Sequence, residues 1–161
     1  MFFAKNSSFG PLKTEFLICS TPCSGDCERE ECPNKKMEVR LLEEVSFPLS
    51  ETETLVINGG FVFDGASIPQ ICWTSIGHPL EHRFIYAALL HDALYSAQLI
   101  PRKTADQYFQ TFLREFSGVG WFTSWKMYTG VRLFGGIAWD GKTPEQIRTA
   151  QSLVHLKRIE A

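Results

Sequence analysis

The run Ala87-Ala-Leu-Leu-His-Asp-Ala-Leu-Tyr95 constrains this chain more than any other stretch. No Gly or Pro interrupts His82 to Gln98, and Phe84, Ala87, Ala88, His91 and Tyr95 recur at spacings of three and four, which predicts a helix. Yet His91 and Asp92 stand in the middle of its apolar run. Polar groups are costly to bury without partners, so this helix needs a neighbour that satisfies them. The next segment offers one. Pro101 ends the first helix and Thr104 is expected to cap the second, whose stripe is Ala105, Phe109, Phe112, Leu113 and Phe116. Gly118 and Gly120 stop it, and Asp106 falls within the stripe. The link from Ser96 to Arg102 is short, so the two helices are expected to pack antiparallel with Asp106 across from His91. Tyr95 follows one turn after His91, on the same face.

A buried His opposite a carboxylate has its tautomer fixed, which leaves the other ring nitrogen as a base. His91, Asp106 and Tyr95 are therefore the candidate catalytic group, and Asp92 is left to bind a hard cation such as Ca²⁺. The same cluster read as packing is simply a satisfied buried network. A second polar island is Phe61-Val-Phe-Asp-Gly-Ala-Ser-Ile-Pro69. Its Asp64 and Ser67 either shape the turn or point into the His91 site, with Asp64 as a further metal candidate. Arg102 either supports the helix junction or pairs with Asp64 or Asp92.

Around this centre the chain reads as α+β: a small N-terminal antiparallel β-sheet followed by a bundle of three to four helices. Leu12–Ile18, 37–42 and 54–63 carry strand patterns, with Asn58-Gly59-Gly60 as a hairpin-type turn. Trp121–Leu133 reads as a third helix, and Thr143-Pro144-Glu145-Gln146 as the capped start of a C-terminal one. The aromatic set Trp121, Phe122, Trp125, Tyr128 and Phe134 has helical spacing and suits core or interface, any exposed remnant fitting a partner or a lipid surface. The length of 161 residues fits one domain over 1–161, β-rich from 1 to 79 and helical from 80 to 161.

Sixteen Lys+Arg against eighteen Asp+Glu, with no long like-charge run, argue against a nucleic-acid partner or a polybasic membrane anchor. No apolar stretch is long enough for a transmembrane segment, and the first residues do not read as a signal peptide. Four cysteines crowd the loop 19–36: Cys19, Cys23, Cys27 and Cys32. They could close a Zn²⁺ site or form two disulfides, and the paired C-x₂-C knuckles of common zinc folds are absent.

Two resemblances add to this reading. Gly60-Phe-Val-Phe-Asp-Gly-Ala-Ser-Ile-Pro69, Ala87-Ala-Leu-Leu-His-Asp-Ala-Leu-Tyr95 and Arg102-Lys-Thr-Ala-Asp106 together resemble a family of phage and prophage proteins catalogued as a domain of unknown function. That likeness covers roughly residues 37 to 139 and implies a phage or prophage origin without an activity. Over a shorter span, His91-Asp92-x-x-Tyr95 followed by Ala105-Asp106-x-x-Phe109 is similar to the paired helices of phospholipases A2. There the His activates water, the adjacent Asp holds Ca²⁺ and an Asp on the partner helix orients the His. Carried over, the roles fall on His91, Asp92 and Asp106 with Tyr95 in support, although the Gly-rich calcium loop of those enzymes is not recognisable.

The expectation is a phage-type protein, associated with the virion or the envelope, bearing a Ca²⁺-dependent ester hydrolase site. The alternative is a structural tail or baseplate component. Its expected partners are other virion proteins or an envelope lipid, and its expected place is the virion or the host cytoplasm during assembly.

Overall fold

The computed structural model describes residues 11–17, 38–65 and 84–158. Ser67 and the four clustered cysteines lie outside them.

Among the described residues, six strands form two three-stranded antiparallel sheets, where one small sheet was expected. β1 (Thr14–Leu17), β2 (Glu38–Leu41) and β5 (Val62–Phe63) make one, in the order β1-β2-β5. β3 (Val45–Pro48), β4 (Glu53–Ile57) and β6 (Val154–Arg158) make the other, in the order β3-β4-β6. Alternation along β2 buries Val39 and Leu41 and exposes Arg40, as a strand with one covered face requires. β4, central in its sheet, buries Leu55, Val56 and Ile57 in succession.

The chain changes sheets three times: between β2 and β3, between β4 and β5, and across the helices between β5 and β6. The Asn58-Gly59-Gly60 turn is therefore a crossover and not a hairpin. Its glycines are required by geometry. A Cβ on Gly59 would lie 2.7 Å from the Leu42 carbonyl oxygen, and Gly60 has φ +96°. The close approach lets the Gly60 N–H donate to the Leu41 carbonyl at 2.7 Å, which ties one crossover to the other.

Five helices are described: α1 (Ile85–Ala97), α2 (Arg102–Glu115), α3 (Trp121–Phe134), the short α4 (Gly136–Asp140) and α5 (Pro144–Leu153). Ten of the thirteen residues of α1 are buried, so it is the central rod of the fold. It ends where Gln98 turns left-handed, at φ 48°. α2 buries Ala105, Tyr108, Phe109, Phe112 and Leu113. Pro101 occupies its N-cap and no side chain caps it, so Thr104 does not have the capping role expected of it. Thr143 and Gln146 exchange both bonds of a capping box at the start of α5, with Pro144 in the first turn.

The C-terminal part is not wholly helical, because α5 leads straight into β6. β6 pairs with β4 from Glu53↔Arg158 to Ile57↔Val154, and the Asn58 N–H donates to the Leu153 carbonyl at 2.8 Å. One apolar core therefore runs from Val39 and Phe47 in the sheets through Leu89 and Leu90 of α1 to Phe109, Phe112 and Val131.

Candidate functional site

α1 and α2 are joined by four residues, Gln98 to Pro101, and lie side by side with their polar residues meeting in the core. His91 Nε2 is 3.0 Å from Asp106 Oδ1, and both side chains have no exposure to solvent. The Tyr95 hydroxyl donates to the same oxygen at 2.6 Å. The His91 ring lies between two aromatic rings, with centroids 4.1 Å from Tyr95 and 4.7 Å from Phe109. The i, i+4 spacing of His91 and Tyr95 and the antiparallel packing of α1 and α2 thus assemble these three residues as their positions in the chain suggest.

A fourth member has no signal in the spacing. Arg132, near the end of α3, donates from Nη1 to Asp106 Oδ2 at 2.6 Å. In sequence it is only a basic residue in a last helical turn, where any cation suits the helix dipole. Its partner becomes evident only once α3 packs on α2. Asp106 therefore accepts from three side chains, two at Oδ1 and one at Oδ2. Burial alone would raise its carboxyl pKa, but the bonds from His91, Tyr95 and Arg132 outweigh that and hold it below the ordinary carboxylate value. The Tyr95 hydroxyl is pushed well above its ordinary value, first by burial and then by the bond and charge of Asp106.

A carboxylate held in its ionised form has only acceptor oxygens, so Asp106 Oδ1 is the acceptor in its bond with His91 Nε2.

Arg102 stands at the junction of α2 and α3. Its Nη1 donates to the carbonyls of Val131 at 3.4 Å and Arg132 at 3.3 Å, at the C-terminal end of α3. That fixes the helix end that delivers Arg132. Gly135 follows at once, and a Cβ there would lie 2.6 Å from the Tyr95 hydroxyl oxygen. Only glycine lets the turn after α3 approach that ring so closely.

Asp92, one residue beyond His91, has a different task. Its Oδ2 accepts the backbone N–H of Asp64 at 3.2 Å and of Gly65 at 2.6 Å, which pins the segment after β5 onto α1. Asp64 is thereby brought next to Asp92. Both border a cavity of about 360 Å³ with Glu38, Tyr95, Ser96 and Lys142. The described part of the segment presents amide hydrogens to Oδ2, and these compensate negative charge as a cation would. A calcium ion at that oxygen would instead need carbonyl or carboxylate acceptors around it. Among the described residues, no group of three or more His, Cys, Asp or Glu side chains comes together in a way that could hold a metal ion.

No curated protein matches this chain, and no solved structure does. One family matches residues 39–131, from β2 to near the end of α3, a span that holds Asp64, His91, Asp92, Tyr95 and Asp106. The chain belongs to that family, described as "Protein of unknown function (DUF1353)".

Proposed function

We propose that the chain is a phage-type ester hydrolase in which His91 is the general base and Asp106 its orienting partner. The observation that supports this most is the 3.0 Å bond between His91 Nε2 and Asp106 Oδ1, a carboxyl held below its ordinary value. Water attacks the ester carbonyl as its proton passes to the His91 ring. The carbonyl electrons move to oxygen, and on collapse the departing alkoxide takes the proton back. Asp106 stays ionised throughout, held by Tyr95 and Arg132. The substrate is accommodated in the cavity bordered by Asp92 and Tyr95, which are neighbours of His91 on α1.

Calcium belongs to the proposal only at the cavity carboxylates, Asp64 and Asp92, and calorimetry tests it. Absence of binding at millimolar Ca²⁺ removes the metal and leaves the base intact. The chemistry is tested on p-nitrophenyl butyrate and on a short-chain glycerophospholipid. His91→Asn and Asp106→Asn are expected to lower turnover at least about a hundredfold, as loss of a positioned base does, while circular dichroism stays that of the parent. If the parent cleaves neither substrate, the hydrolase reading fails.

One observation favours a second reading. His91 has no exposure and does not itself border the cavity. A network closed in this way suits a non-catalytic virion component, such as a tail or baseplate protein. In that case His91→Asn alters thermal stability and particle assembly and no chemistry.

A further inference from the structure

We infer that the cavity beside α1 binds a small zwitterion, with Glu38 holding its ammonium group and Lys142 its oxyanion. As the polar group of a substrate this zwitterion rests on the hydrolase reading; its binding does not. The cavity holds about 360 Å³, the size of a small-molecule site. Its charged walls come from separate parts of the fold. Glu38 opens β2, and the β2–β5 register of Val39↔Phe63 and Arg40↔Val62 continues to Glu38 beside Asp64. Lys142 stands in the link from α4 to α5, one residue before the cap Thr143.

Four charged side chains border this space: Glu38, Asp64, Asp92 and Lys142. Asp92 accepts the amide hydrogens of Asp64 and Gly65, and Asp64 is not free either. Glu38 and Lys142 are both half-buried, and among the described residues neither makes a hydrogen bond or an ion pair with its side chain. Two opposite charges thus face one cavity without closing on each other. Half-buried charges left unpaired are costly, and one ligand bearing both opposite charges satisfies both. The Gln146 carboxamide oxygen accepts the Thr143 N–H at 2.9 Å, which leaves its amide hydrogens as further donors on the Lys142 side. Val62 and Phe63 supply apolar wall for the carbons between the two charged ends. Counted whole, three carboxylates outnumber one ammonium, so a ligand with surplus negative charge is repelled and an overall neutral one is accepted. Asp140 and Glu145 are near Lys142 in the chain, but both are exposed and neither borders the cavity.

The full chain is titrated calorimetrically with ω-amino acids from glycine to 6-aminohexanoate, and with n-butylamine and butyrate, each of which carries only one of the two charges. The expected result is that one amino acid binds at least about tenfold more tightly than either single-charge compound, its length reporting the span from Glu38 to Lys142. Lys142→Met is expected to lower that affinity at least about tenfold, to the level of n-butylamine, and Glu38→Gln to the level of butyrate. Either variant, if its circular dichroism is altered, is replaced by Lys142→Gln or Glu38→Ser and read in the same way. The assignment is overturned if no amino acid binds at millimolar concentration, or if either variant binds as the parent does. It is also overturned if n-butylamine binds as tightly as the best amino acid, for then the cavity is merely acidic. Amino-acid binding without cleavage of any ester leaves the zwitterion site standing and fails the hydrolase reading. Cleavage of p-nitrophenyl butyrate without amino-acid binding does the reverse.

Discussion

The α1–α2 interface and the outer face of α3 invert the usual distribution of side chains, each in its own direction. Between α1 and α2 a His, an Asp and a Tyr hydroxyl are sealed from water, with an Arg reaching in from α3. On α3 itself, two Trp, two Phe and a Leu face solvent. The interior polar cluster is self-sufficient, because each buried group has a partner and the carboxylate is matched by a guanidinium. The outer apolar face has no such closure among the described residues. A buried charge must be compensated as the fold forms, whereas an exposed ring costs the monomer little. Substitutions in the two places should therefore fail in different assays.

The largest effect is expected at the interior. Asp106→Ala leaves His91 and Tyr95 without their shared acceptor and should destabilise the protein by about 3–5 kcal/mol, the scale of losing one member of a buried ion pair. Urea unfolding measures it, and a loss below about 1 kcal/mol would mean that the network contributes little to the fold. Next comes Gly135→Ala. Its Cβ would lie 2.5 Å from the Val131 carbonyl oxygen as well as close to the Tyr95 hydroxyl, so forced repacking should cost about 1–3 kcal/mol. A thermal midpoint unchanged by Gly135→Ala would show that Tyr95 moves aside without penalty.

Acid should discriminate as well. The Asp106 carboxyl is depressed in the folded state, so its contribution is complete above the ordinary carboxylate value near 4 and is lost as pH falls through the lower folded value. Asp106→Asn should remove that part of the acid dependence, seen as a flatter stability profile below about pH 4. A variant whose profile parallels the parent's would place the acid sensitivity elsewhere. The smallest effect belongs to the outer face. Trp121→Ser should change unfolding stability by no more than about 0.5 kcal/mol, as exposed substitutions do. A larger loss there would make that side of α3 part of the core rather than an exposed surface.

The α1–α2 pairing was legible because its determinants are local. A three-four spacing is set by the helix itself, and a four-residue link forces neighbours to run antiparallel, so local pattern alone brings His91, Tyr95 and Asp106 together. The capping box at Thr143 was legible for the same reason, since its partner is three residues away. Arg132 was not. It reaches Asp106 across 26 positions, and nothing in its own surroundings distinguishes it from a solvated basic residue. Strand β6 was missed likewise: Val154 to Arg158 follows α5 without a turn signal, and its partner β4 lies about a hundred positions earlier, with Arg158 Nε 3.0 Å from Glu53 Oε1.

Local pattern in the chain sets the α+β class, the three longer helices and the polar trio at their centre, because periodicity, capping and short links act within a few residues. Long-range packing sets the division of the strands into two sheets, the completion of the charge around Asp106 by Arg132, the pinning of the segment after β5 by Asp92, and the exposure of the aromatic side of α3 among the described residues. Each of these depends on which distant surfaces meet. A residue's partner across the core is chosen by the packing of whole elements, and no local pattern encodes that choice.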